Sequence, residues 1–285
     1  MTPGNTHVLA RRRRRREGLR LSLTLIAALA LVGLPLYVLV ITAMKPVDEA
    51  RRVTIDPPTQ FAFFDNLATV LEDGTALRGF INSCIVAVPT ILITLLLAAC
   101  AAWVFGRSRS RKLNILYYVV ITGIMLPPAI IPTVRVLQTL GLDGNHVGLI
   151  FFYCGTQLGA AVFLITGFVK GVPYELEEAA RLDGAGPLRV FWSVILPSLR
   201  PAVLVSGVYL TLTVWNDFFY AYFVLSTPAQ RTMPLGLYGY ASANLFQYNW
   251  GLVFSYVLLT SVPIVIVFLL AQKRIVSGLL GGAGK

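Results

Sequence analysis

"YELEEAARLDGAGPLRVFWSVILPSLRP", Tyr174–Pro201, is a charged, glycine-broken stretch in a chain that is otherwise strongly apolar. Of 285 residues, 56% are hydrophobic and 13% charged, and the mean hydropathy is +0.73. Soluble domains carry about 25% charged residues, so the solvent that fits this composition is a bilayer. The stretch itself is too charged to cross one and too short to be a domain. Pro173 can open a helix whose first turns hold Glu175, Glu177 and Glu178 near its positive end. Gly184 and Gly186 then break it, and Pro187 can start a second helix over Leu188–Leu196. Ala179, Ala180, Gly184 and Ala185 form a low surface flanked by charges, which lets another protein's backbone approach closely.

Outward from this insert, a bilayer crossing needs about 20 apolar residues. Leu21–Met44, Gly79–Val104, Leu113–Val134, Val147–Val169, Pro201–Leu225 and Trp250–Gln272 each satisfy that length, which predicts an all-α membrane protein of six transmembrane helices. Pro127, Pro128 and Pro132 should kink or interrupt the third span. The arginine run Arg11–Arg16 before the first span resembles a signal peptide, but the apolar stretch is too long and no small-residue cleavage site closes it. It reads as a retained helix.

Lys and Arg set the orientation. Segments 1–20, 105–112, 170–200 and the tail after Gln272 hold 18 of them, and the alternate segments 45–78, 135–146 and 226–249 hold 6. Both termini are therefore expected in the cytoplasm, as is Tyr174–Arg200. Three regions follow: a basic segment 1–20, a membrane domain 21–272 with its loop at 173–200, and a tail 273–285. The net charge of +11 is a topology and lipid-headgroup signal on this reading, carried by Arg11–Arg16 and by Arg107, Arg109, Arg111 and Lys112, and no nucleic acid is implied.

The residues Glu178, Ala179, Ala180 and Gly184, followed by Val194, Leu196 and Pro197, have the spacing of the EAA loop of ABC importer permeases. Only Val194 departs, standing where the pattern has isoleucine. The stretches "FINSCIVAVPTILITLLLAACAAWVFGR", "MLPPAIIPTVRVLQTLGL", "TVWNDFFYAYFVL" and "QKRIVSGLLGGAGK" extend the resemblance to the carbohydrate subfamily, of the type of the second maltose permease subunit. The arginine-rich N-terminus lies outside that pattern. This resemblance implies a type I importer fold in a prokaryotic inner or plasma membrane. It also implies a second homologous permease, two cytoplasmic ATP-binding subunits and an extracytoplasmic solute-binding protein that delivers a carbohydrate. ATP and Mg would be bound by the partner ATPase subunits, with no cofactor in this chain. Glu178, Ala179, Ala180, Asp183, Gly184, Ala185, Leu196 and Pro197 would form the surface that couples to the ATPase.

Other features are weaker. Tyr209, Thr213, Asn216 and Tyr220 recur at helical spacing and make a polar-aromatic stripe that suits a sugar pathway or packing against the partner permease. Asp217 beside them is the one carboxylate well inside a predicted span, with a structural hydrogen bond and a pathway role equally open. "NLFQYNW", Asn244–Trp250, offers contacts for a docked binding protein or an ordinary interfacial anchor. Cys84, Cys100 and Cys154 lack metal or disulfide spacing and are expected to be small buried hydrophobes. His7 and His146 are isolated. The terminal "GGAGK" fails as a phosphate loop, because the first glycine of that motif would be Leu279 and nothing follows Lys285. No catalysis is expected. A self-contained channel or secondary carrier for a small polar solute is the alternative, disfavoured because only one intramembrane carboxylate and no clear inverted repeat are found.

Overall fold

The computed structural model describes residues 17–243 and 249–282. The Arg11–Arg16 run, His7, residues 244–248 of the final-loop motif and the last three residues of the tail lie outside them. Among the described residues every regular element is helical. Helix α1 (Glu17–Ala43) includes a wide π turn at Leu29–Gly33 and is followed by α2 (Val47–Ala50) and α3 (Phe63–Glu72). Next come α4 (Thr75–Arg107), α5 (Arg111–Thr122), α6 (Ile130–Thr139) and α7 (His146–Val169). The charged insert forms α8 (Glu175–Leu182) and α9 (Pro187–Ser198), leading into α10 (Arg200–Trp215) and α11 (Phe219–Val224). Finally α12 (Met233–Ala243) precedes α13 (Trp250–Gly282).

Four helices are long and apolar enough to cross a membrane, namely α1, α4, α7 and the Trp250–Gln272 part of α13. The bent pair α9 and α10 qualifies as a fifth when counted as one span. The expected third span is two helices, because the chain leaves helical geometry between Thr122 and Ile130. That is where Pro127 and Pro128 remove amide donors. The expected fifth span is also two helices. Here the interruption at Asn216–Phe218 was not anticipated, and it corrects the continuous helix over Pro201–Leu225. The stripe Tyr209–Thr213–Asn216–Tyr220 loses its basis with it, since Tyr220 belongs to a different helix.

The described residues divide into two compact units, one drawn from 17–73 with 241–243 and 249–258 and one from 74–240 with 259–282. In the larger unit α4 and α7 pack along their lengths. Their shared surface is built from small and β-branched residues: Ala98, Ala99 and Ala102 on α4, Ala161, Val162, Ile165 and Val169 on α7. In lipid there is no hydrophobic drive between helices, so association comes from close van der Waals contact, which small side chains permit. At the Arg107 end the approach is so near that a Cβ on Gly106 would lie 2.6 Å from Val169 Cγ1. Leu199, Ala202 and Leu210 bring α10 onto the same core. Cys100 points away from it: Cys100 is exposed, and Cys84 and Cys154 are half-buried. A residue between Ala99 and Ala102 on a helix turns about 100° per step, so the outer face was forced on it once the alanines took the inner one.

In the smaller unit, the end of α1 is fastened to α3. Asn66 donates its side-chain amide to the carbonyls of Ala43 at 3.0 Å and Lys45 at 2.9 Å, and the Ala62 N–H reaches the Met44 carbonyl at 2.9 Å. These carbonyls end a helix and have no partner within it, so a buried amide side chain replaces water. Gly251 in the first turn of α13 lies against the same place, where a Cβ would come 3.1 Å from both Asn66 Nδ2 and the Lys45 carbonyl.

Candidate functional site

Helix α8 ends as the sequence suggested, and the geometry explains why glycine stands there. Gly184 has φ +82°, the Gly184 N–H donates to the Arg181 carbonyl at 3.0 Å, and the Ala185 N–H donates to the Ala180 carbonyl at 2.9 Å. These two bonds are the Schellman arrangement, which satisfies a helix's last carbonyls and needs a left-handed residue after its end. A Cβ at Gly184 would meet nothing within 4 Å, so the requirement is purely conformational. Ala180 and Ala185 are half-buried against the α4–α7 core, which anchors the two sides of the break. Gly186 then precedes Pro187 at the first position of α9.

Helix α9 changes to π geometry over Phe191–Ile195, buries Phe191 and Ile195, and ends at Leu196–Ser198. It meets α10 at an angle of 74°. Leu196 and Pro197 are half-buried at this corner, with Leu196 against the core. Glu178, Ala179, Asp183 and Gly184 are exposed. So are the large apolar side chains Leu176, Leu182, Leu188 and Trp192.

The carboxylate that faces inward is Glu177, one residue before the motif glutamate. Its side chain is 1% exposed. Arg107 Nε donates to Glu177 Oε1 at 2.6 Å, and Trp103 Nε1 donates to Oε2 at 3.1 Å. Arg181 stands one turn on, 3.7 Å from the same carboxylate. Arg107 also donates to the Val172 carbonyl at 2.8 Å, and its guanidinium lies over the Tyr174 ring. The buried charge is therefore paired and hydrogen-bonded on both oxygens, the condition under which burial is tolerated. Sequence reasoning missed Glu177, Trp103 and Arg107 as a group. The available signal was that Glu177 and Ala180 share a helix face, and Ala180 is the residue that faces the core.

Asp217 is half-buried at the break between α10 and α11. One oxygen, Oδ2, accepts from the Tyr153 hydroxyl at 2.6 Å and from the N–H groups of Tyr220 at 3.0 Å and Ala221 at 3.1 Å. It therefore caps the opening turn of α11 and ties that turn to α7. Of its expected companions, Tyr209 is packed against the core and Thr213 donates to the Tyr209 carbonyl at 3.0 Å within its own helix. Tyr220 packs on Phe152 in a tilted pair with ring centroids 4.8 Å apart. Asn216 alone is exposed, with its amide donating to the Leu212 carbonyl at 2.9 Å. Among the described residues no group of three His, Cys, Asp or Glu is placed to hold a metal.

Apolar helices long enough to cross a bilayer and a charged helical insert fastened by a buried ion pair define a helical membrane protein. The chain belongs to the binding-protein-dependent transport system inner membrane component family, whose model matches residues 74–278. That family consists of transport permease components and is not a family of enzymes. The chain is 30% identical over 269 residues to the melibiose/raffinose/stachyose import permease protein MelC of Bacillus subtilis, covering 92% of this chain and 96% of that one. It is 32% identical over 261 residues to the multiple sugar-binding transport system permease protein MsmG of Streptococcus mutans, covering 90% and 92%. A bacterial ABC transporter involved in import of the acidic polysaccharide alginate has the same fold. The match to it has a TM-score of 0.78 at 21% identity, with 91% of this chain and 96% of that chain covered.

Proposed function

We propose that this chain forms half of the translocation pathway of a carbohydrate ABC importer, paired with a second homologous permease. The sugar names carried by its relatives support the substrate class. An extracytoplasmic solute-binding protein would deliver the carbohydrate, and two cytoplasmic ATP-binding subunits would bind ATP and Mg and close the cytoplasmic side. On this reading the chain crosses the bilayer six times, with α5–α6 and α10–α11 as broken spans that neighbouring helices re-satisfy. Both termini are cytoplasmic, flanking the membrane domain 21–272 with the basic segment 1–20 and the tail 273–285.

One observation carries the coupling assignment. The insert's inner face is fixed to α4 through Glu177 and Arg107, whereas Glu178, Ala179, Leu182, Asp183, Gly184 and Leu188 are exposed. A charged, apolar-studded surface on a rigid support suits an ATPase that must push without slipping. Ala180, Ala185, Leu196 and Pro197 act from behind, holding the break and the corner. Asn216 is the exposed group through which α10 reaches the sugar pathway, and Asp217 holds the break that presents it.

Cysteines at Ala179 and Leu182 should crosslink to the ATP-binding subunit in the assembled importer. Gly184→Trp should spare membrane insertion and sharply lower uptake and substrate-stimulated ATP hydrolysis. Normal uptake with Gly184→Trp, together with no crosslink from either position, would reduce the insert to a surface hairpin.

A further inference from the structure

Helix α3 has three faces rather than two. Phe63, Asn66, Leu67 and Val70 turn inward, with Asn66 and Val70 fully buried. Asp65, Thr69 and Glu72 are exposed and form a polar strip at the i, i+4, i+7 spacing of one helix face. Phe64, Ala68 and Leu71 are also exposed and form an apolar strip at the same spacing, between the buried face and the polar one. Phe61 extends that strip past the helix start, and its ring packs on Phe64 with centroids 5.9 Å apart. Phe64 is 70% exposed. A water-facing helix has no use for such a strip.

The helix is also held at a known depth within its unit. Asn66 binds the carbonyls of Ala43 and Lys45, where α1 ends, and lies against Gly251, where α13 begins. Both helices are long and apolar enough to cross a bilayer, so α3 sits at the ends of two candidate spans. The loop between α2 and α3 also folds back against α1, where the Tyr37 hydroxyl donates at 3.1 Å to the Ile55 carbonyl and the Ile55 side chain is exposed.

From this placement we infer that α3 is an interfacial helix whose Phe61–Phe64–Ala68–Leu71 strip inserts into the lipid at the end of α1, with Asp65, Thr69 and Glu72 directed to water. The order buried, apolar, polar around the helix is the order of its surroundings: protein, acyl chains, headgroup water. The assignment rests on α1 crossing the membrane and is indifferent to which side its end faces. It gives α1 and α13 a shared collar that resists sliding along the membrane normal.

The test uses the assembled importer in nanodiscs, with Cys84, Cys100 and Cys154 replaced and a nitroxide placed in turn at Phe64, Leu71, Asp65, Glu72 and Leu31. Collisions with oxygen report lipid, and collisions with a water-soluble nickel chelate report solvent. Phe64 and Leu71 should favour oxygen severalfold more than Asp65 and Glu72 do, and Leu31 inside α1 should favour it most. Equal nickel access at Phe64 and Asp65 would overturn the insertion. Exclusion of both reagents from Phe64 and Leu71 would overturn it too, since a docked protein would then cover the strip. A water-exposed Leu31 would instead remove the premise that α1 is a span.

Discussion

Glu177 accepts from an arginine and an indole at the end of α4, whereas Asp217 accepts from a tyrosine hydroxyl and two backbone amides at the start of α11. The first carboxylate is held by countercharge and is sealed from solvent. The second is held by neutral donors and is half-buried. The difference shows two ways for an apolar protein to carry an acid. An ion pair makes each partner dependent on the other, because removing one strands a charge. A capped carboxylate is replaceable by anything that still accepts from the same donors.

The largest effect should come from breaking the pair. Glu177→Leu strands the Arg107 charge and should cost about 3–5 kcal/mol, whereas Arg107→Leu leaves the carboxylate with Trp103 and Arg181 and should cost somewhat less. The combination Glu177→Leu with Arg107→Met should recover much of that loss, as apolar replacement of whole buried pairs does. Denaturant titration of the four proteins in mixed micelles measures the cycle. Additive losses would show that the two side chains act independently, and the contrast with Asp217 would collapse.

At Asp217 the expected loss is smaller. Asp217→Leu removes the acceptor from three donors and should cost about 1–3 kcal/mol, while Asp217→Asn keeps an oxygen and should cost under about 1 kcal/mol. Equal losses from the two substitutions would mean that the charge matters here as well. Gly184→Ala sharpens the comparison by disturbing the insert without touching either acid. Because its Cβ is unobstructed, only the positive φ counts, and the expected cost is about 1–2 kcal/mol. Asparagine at the same position should cost less, since it tolerates the left-handed region.

The smallest stability change belongs to Glu178→Lys. This exposed neighbour of Glu177 should move stability by no more than about 0.5 kcal/mol. It should nevertheless depress substrate-stimulated ATP hydrolysis, since reversing an interface charge turns attraction into repulsion. A large stability loss with Glu178→Lys would erase the inner–outer distinction between adjacent glutamates.

That distinction was beyond sequence reasoning for a definite reason. Adjacent positions on a helix differ by about 100°, so choosing between Glu177 and Glu178 requires knowing which face meets α4. The partner, Arg107, is 70 residues away, and so nothing local announces it. Tyr153 is similarly remote from Asp217, at 64 residues. By contrast, the four continuous apolar helices were legible, because a bilayer imposes length and hydropathy on each segment separately. The helical break at Gly184 was legible too, through glycine and proline. Pro127 and Pro128 announced the interruption between α5 and α6, whereas no proline stands near the interruption at Asn216–Asp217. The pair was read as part of a continuous helix, although Asp217 caps the N–H groups only three and four residues on.

On the proposed coupling, the 74° corner between α9 and α10 would act as a bell crank. Displacement of α9 along its own axis projects onto the α10 axis only as the cosine of that angle, roughly a quarter. Nearly all of the stroke is delivered sideways. A push along α9 would thus tilt α10 far more than it slides it, and tilting changes the width of a passage while leaving the depth of its walls in the bilayer almost constant. Sliding would drag apolar side chains into water at one end and the charged corner into lipid at the other. On that coupling the corner would spare the protein this cost by setting the direction of motion.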